Sequence, residues 1–150
     1  MNESSKKFAG FLLIILPTVA FGGTALLNML VTGETGYTDN PLRQDLMRAG
    51  HAHAGVLLIL SLLILKYVDE ANLSAGLKRF VRSGTPITAI LIPAAFFLSV
   101  LDPQSTEPNE LIYLAYAGFV LLTVTLITVG IGLIRKRETY DRTISTREPQ

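Results

Sequence analysis

The chain contains no cysteine, no tryptophan and only two histidines. Without cysteine, disulfides, thiolate metal sites and cysteine nucleophiles are all excluded. Charge is also scarce: 17% of residues are charged against 49% hydrophobic, and the mean hydropathy is +0.43. That balance is too apolar for an ordinary soluble domain, and 150 residues make one domain by length. No basic cluster is interleaved with aromatics, so nucleic acid is not an expected partner.

The most informative scarcity is positional. Asp, Glu, Lys and Arg are absent from four runs, Phe8–Gly33, Ala49–Leu65, Ser83–Leu101 and Leu111–Ile134. About 20 apolar residues cross about 30 Å of hydrocarbon in helical form. Three runs meet that outright, and the shorter second run is extended by Lys66 and Tyr67, which can snorkel. The pattern predicts an all-α fold, an integral membrane four-helix bundle with spans near 8–32, 49–67, 83–101 and 111–134. A polar, mobile tail is expected over 135–150.

Met1–Lys7 followed by an apolar run also describes a signal peptide, with Thr18-Val19-Ala20 as the cleavage site. Hydrophobicity continues through Leu26, Leu27, Met29, Leu30 and Val31, so a retained first helix is expected. Pro17 and Pro93 should bend the first and third spans. Gly22, Gly23 and Thr24 form a small-residue patch suited to close helix contact. Ser83-Gly84-Thr85-Pro86 reads as the start of the third helix.

Orientation follows from Lys and Arg. Lys6, Lys7, Lys66, Lys78, Arg79, Arg82, Arg135, Lys136, Arg137, Arg142 and Arg147 fall on one side, and only Arg43 and Arg48 on the other. Both termini are therefore expected to be cytoplasmic, in a multi-pass protein of the plasma or inner membrane (N-in/C-in). The histidines then lie near the outer face.

Those histidines sit in Arg48-Ala49-Gly50-His51-Ala52-His53-Ala54-Gly55, at the mouth of the second span. Ionisable groups at the edge of a span are candidates for function. Two positions apart on a helix, His51 and His53 point about 200° away from each other, so an intact helix does not bring them to one ion. Several chemistries fit. One is axial ligation of haem, with Arg48 pairing a propionate. A second is a metal held by His51 or His53 with loop acids Asp45, Asp102, Glu107 or Glu110. A third is proton or quinone handling. In a fourth, the histidines only pack and hydrogen-bond to carbonyls.

Among other polar residues, Asn28 lies at about the depth of the histidines, within reach of one. Met47 and Met29 are available as soft ligands. Thr123, Thr125 and Thr128 are expected to satisfy backbone carbonyls of their own helix. Tyr113 and Tyr116 fit an interfacial aromatic belt. No catalytic residue set stands out.

Arg48-x-x-His51-x-His53 at the opening of a span resembles the second transmembrane helix of the haem-copper oxidase catalytic subunit and its nitric-oxide-reducing relatives. The resemblance covers about a dozen residues. It implies His51 as a haem ligand and Arg48 as a propionate partner. That superfamily uses further histidines on later helices, and none follows His53 here. A complete oxidase or reductase centre in one chain is therefore excluded. The remaining ligand would come from Met47 or Met29, or from a second protomer, or the position would stay open. The expected function is binding of haem or a metal for electron transfer, sensing or cofactor handling. The protein would work as a homo-oligomer or within a larger respiratory complex. The alternative is a non-catalytic structural or assembly subunit.

Overall fold

In the computed structural model, which describes residues 1–135, four helices follow one another. They are α1 (Glu3–Val31), α2 (Pro41–Tyr67), α3 (Ala75–Leu98) and α4 (Tyr113–Ile134), the last entered through a 3₁₀ turn at Glu110–Ile112. There is no strand among the described residues. All four helices are long and apolar enough to cross a membrane. The tail expected beyond Arg135 lies outside the described residues.

Side-chain caps set the helix starts. Asn2 accepts from the Ser5 N–H, Asn40 from Arg43 with Pro41 next to it, and Ser74 from Leu77. Each satisfies a backbone donor that the first turn leaves free. α3 corrects the expected start at Ser83. It begins at Ala75 and runs through both Pro86 and Pro93. The reason is tertiary. Val81 is buried against Ile64, Val68, Ala71 and Val129, with Phe80 packed on the same cluster, so the basic segment 75–82 is held helical by its apolar face. α1 likewise continues unbroken past Pro17.

The helices pack in chain order, α2 on α3 and α3 on α4, while α1 packs on α2. Glycines bring α3 and α4 close: a methyl added to Gly84 would collide with Thr125, and one on Gly118 would lie 2.6 Å from Ile92. Small residues at such contacts let backbones approach where no hydrophobic driving force separates helix from lipid. α1 is the outlier. Only 6% of its apolar window is buried, against 44% for α3. Its one deeply buried apolar side chain, Leu12, joins Leu57, Leu58, Leu65, Ala89 and Ile92.

Polar groups lock both ends of the bundle. At the end opposite the histidines, Arg82 Nη2 donates to Asp69 Oδ1 at 2.7 Å and Arg82 Nε to Ser5 Oγ at 3.0 Å. Ser5 Oγ donates to Asp69 Oδ1, and the Asn2 N–H to Asp69 Oδ2 at 2.7 Å. Burial pushes the Asp69 carboxyl up, but these hydrogen bonds and the Arg82 charge outweigh it and hold the group below its ordinary value. At the histidine end, Arg43 is only 8% exposed. It donates to Gly36 O at 2.8 Å and Val100 O at 3.1 Å, which ties the α1–α2 loop to the end of α3. Asn40 Nδ2 adds bonds to Pro103 O and Ser105 O. Gly36 makes this turn possible with φ +76°, a conformation that L side chains rarely adopt.

Candidate functional site

The split expected from helical spacing is present. His51 faces α1, where a methyl on Gly23 would sit 3.0 Å from both Cε1 and Nε2 of its ring, and one on Gly22 3.8 Å from Nδ1. His53 faces the other way, with its ring centroid 5.2 Å from Phe96 on α3 and 6.0 Å from Phe119 on α4. His53 Nδ1 lies 2.7 Å from Ala49 O. A carbonyl only accepts, so this nitrogen carries the proton and the tautomer is set. Gly50, beside it, packs against Phe97, with 3.0 Å to the nearest ring atom for an added methyl.

The two rings therefore serve different surroundings. Among the described residues no three His, Asp or Glu side chains converge, so the expected metal site has no ligand set there. Asp45 reaches Arg48 at 4.0 Å with both side chains largely exposed, a contact worth little. Asp102 accepts from the Gln104 N–H in its own turn. Asn28 is exposed and its carbonyl, not its side chain, is engaged, by Thr32. Met47 and Met29 pack with Tyr37, Val100 and Phe97. Thr123, Thr125 and Thr128 bond the carbonyls of Phe119, Leu121 and Val124 as expected.

What the fold does bring together is Arg48, His51 and Tyr37. With Gly23, Leu26, Leu27 and Leu30 of α1 they line a groove of about 210 Å³ between α1 and α2. Leu27 and Leu30 are 58% and 45% exposed, so the groove opens sideways along the apolar face of α1. Its polar groups are unspent. The His51 ring makes no hydrogen bond among the described residues, and Arg48 has only the distant Asp45.

Tyr37 was not legible as a site residue. It is 1% exposed, and its hydroxyl has no hydrogen-bond partner among the described residues. Yet no unpartnered side-chain oxygen or nitrogen there is sealed from the surface. The small exposure Tyr37 retains is therefore at its hydroxyl, and Tyr37 is among the residues that line the groove. The only local signal was its position after Gly36, where the turn sends the next side chain back under the loop. The groove thus gathers three side chains that can donate hydrogen bonds.

Two other depressions are less suited. One of about 550 Å³ lies on the apolar α3–α4 face around Val120 and Val124, where lipid chains would cover it. Another, of about 380 Å³, is a cleft between the loops at Asp39–Leu42 and Pro103–Thr106, whose carbonyls already accept from Asn40. Comparison of the chain with family models, curated proteins and solved structures finds no match to any of the three.

Proposed function

We propose that this is a multi-pass protein of the plasma or inner membrane, both termini cytoplasmic, that binds a lipid-borne amphiphilic cofactor at its outer end. It serves electron transfer or cofactor handling. The observation that carries this reading is the convergence of Tyr37, Arg48 and His51 on a groove that opens along α1. The orientation rests on the Lys and Arg distribution. The polar head meets the three side chains at the membrane interface, and the apolar body lies along Leu26, Leu27 and Leu30.

Haem fits this groove poorly. At about 210 Å³ it holds about seven waters at ~30 Å³ each, the volume of one ring rather than four. The α1 backbone at Gly23 lies against the Nε2 edge of His51. A haem on His51 needs α1 to swing away there, with Arg48 as its propionate partner and a second axial ligand from elsewhere.

The test is to purify the protein into nanodiscs, extract it with organic solvent and identify what co-purifies, beside oxidised and dithionite-reduced absorption spectra. A lipid-borne cofactor depleted by Arg48→Ala and His51→Ala is expected. A Soret band abolished by His51→Ala would restore haem as the occupant. Equal contents in wild type and variants would sink the reading.

A second reading, a non-catalytic assembly subunit, is favoured by one feature. His51 seated on Gly22 and Gly23 acts as a packing knob that fastens α1, and the rest of α1 is left for a second copy or a larger respiratory complex. Native electrophoresis of wild type and His51→Ala tests it: loss of the assembled form with unchanged cofactor content favours this role.

A further inference from the structure

We propose that the groove between α1 and α2 binds the head of a membrane quinone, one carbonyl-bearing ring on a hydrocarbon tail. The inference rests on the reading of this groove as a cofactor site and names its occupant.

The first argument is hydrogen-bond sense. The Tyr37 hydroxyl and the Arg48 guanidinium are donors here, and His51 donates through whichever ring nitrogen carries its proton. Tyr37 and His51 can also accept, but Arg48 only donates, so a ligand that brings acceptors can answer all three. Carboxylates, phosphates and carbonyls all qualify by that criterion alone.

Charge separates them. The one cation in the groove, Arg48, is half exposed and already shares its field with Asp45 at 4.0 Å. Tyr37, the most buried of the three, is a neutral donor. An anionic head would be drawn toward water beside Arg48 and would leave the Tyr37 hydroxyl unanswered. A neutral carbonyl is transferred inward at lower desolvation cost and can accept from the Tyr37 hydroxyl or from His51.

Size and shape point the same way. The groove takes one ring. Gly23, covered by the His51 ring, adds no side chain to the groove, and Leu26 forms an apolar side. A tail leaves past Leu27 and Leu30, both open to the surroundings. A phospholipid shares the carbonyl chemistry through its ester groups, but its head is bulkier and charged. The proposal concerns binding alone; no electron transfer step is assigned to these residues.

The experiment uses the full chain in phosphatidylcholine nanodiscs. Because the protein has no tryptophan and five tyrosines, its intrinsic emission is tyrosine emission, which a bound quinone quenches. Decylubiquinone is titrated into wild type, Tyr37→Phe, His51→Gln and Leu26→Phe, each checked for a wild-type circular dichroism melt. Saturable quenching is expected in wild type. Loss of one hydrogen bond should weaken it roughly three- to tenfold in Tyr37→Phe and in His51→Gln. Leu26→Phe, which narrows the groove without adding a second emitter, should weaken it as well.

Wild type with no saturable quenching overturns the proposal, as does affinity unchanged in all three variants. A parallel arm replaces part of the phosphatidylcholine with an anionic phospholipid. If decylubiquinone does not bind but a lipid co-purifies with wild type and is depleted by Arg48→Ala, the quinone assignment fails while the cofactor-site reading stands. If neither binds and nothing co-purifies, both fail.

Discussion

The Nε2 edge of His51 lies against the backbone of Gly23, so close that a methyl added there would sit 3.0 Å from two of the ring's atoms. Contact of this kind makes residue 23 a size gauge for the seam. Gly23→Ala should destabilise the α1–α2 packing by about 1–3 kcal/mol, the range for overfilling a packed site. Removing the ring should relieve it, so Gly23→Ala with His51→Ala should be more stable than the single effects add up to. Thermal melts of the four proteins in one detergent give this coupling directly.

Tyr37 should separate stability from binding. Its hydroxyl has no partner within the described residues, so Tyr37→Phe should change stability by less than about 0.5 kcal/mol. Tyr37→Ala removes a fully buried ring and should cost about 3–5 kcal/mol. Denaturation of the two variants, alongside quinone titration of the first, checks both parts.

Arg43 is a buried cation answered by two carbonyls, Gly36 O and Val100 O. Arg43→Met keeps much of the stem but orphans both acceptors, each worth about 1–3 kcal/mol when left unsatisfied. The expected result is a loosened α1–α2 loop: faster proteolysis between Thr32 and Asn40 and a lower melting point. Cleavage at the wild-type rate would contradict the role given to this side chain.

Asp69 sets an acid limit. Its folded value is below its ordinary one, so the folded state binds protons less readily than the unfolded chain does. The stability it contributes is complete above the unfolded value near ~3.9 and is lost as pH falls through the folded value. Wild type should therefore lose melting temperature below about pH 4. Asp69→Asn should be less stable at neutral pH and flatter over that acid window. Parallel pH profiles of the two would contradict the assignment.

The absence of native cysteine makes the orientation easy to test. A single cysteine at Glu107 should react with an impermeant maleimide in intact cells, and one at Lys7 should react only after the membrane is opened. Reversed labelling would invert the proposed sidedness.

Four charge-free runs were enough to read the four helices, because lipid requires long apolar segments whatever their neighbours. The ends were harder. α3 begins well before Ser83 because Val81 packs against Val68 and Val129, a long-range contact that outweighs a local Pro-start signature. The 200° between His51 and His53 was legible from helical geometry, but which ring met α1 was not, since rotation depends on the glycine pair of another helix. Tyr37 and Arg43 escaped notice for a related reason. They lie in or beside a polar loop, and their burial comes from carbonyls and side chains brought in by α2 and α3.

The fastening of α1 also sets an order of events during synthesis. Its N-terminal end is held by Asp69 and Arg82, residues 67 and 77 positions downstream of Asn2 and Ser5, and its C-terminal half by His51. The helix made first therefore gains its contacts to Asp69 and Arg82 only once the loop after α2 and the first turns of α3 are made, whereas His51 and Leu57 reach it already with α2.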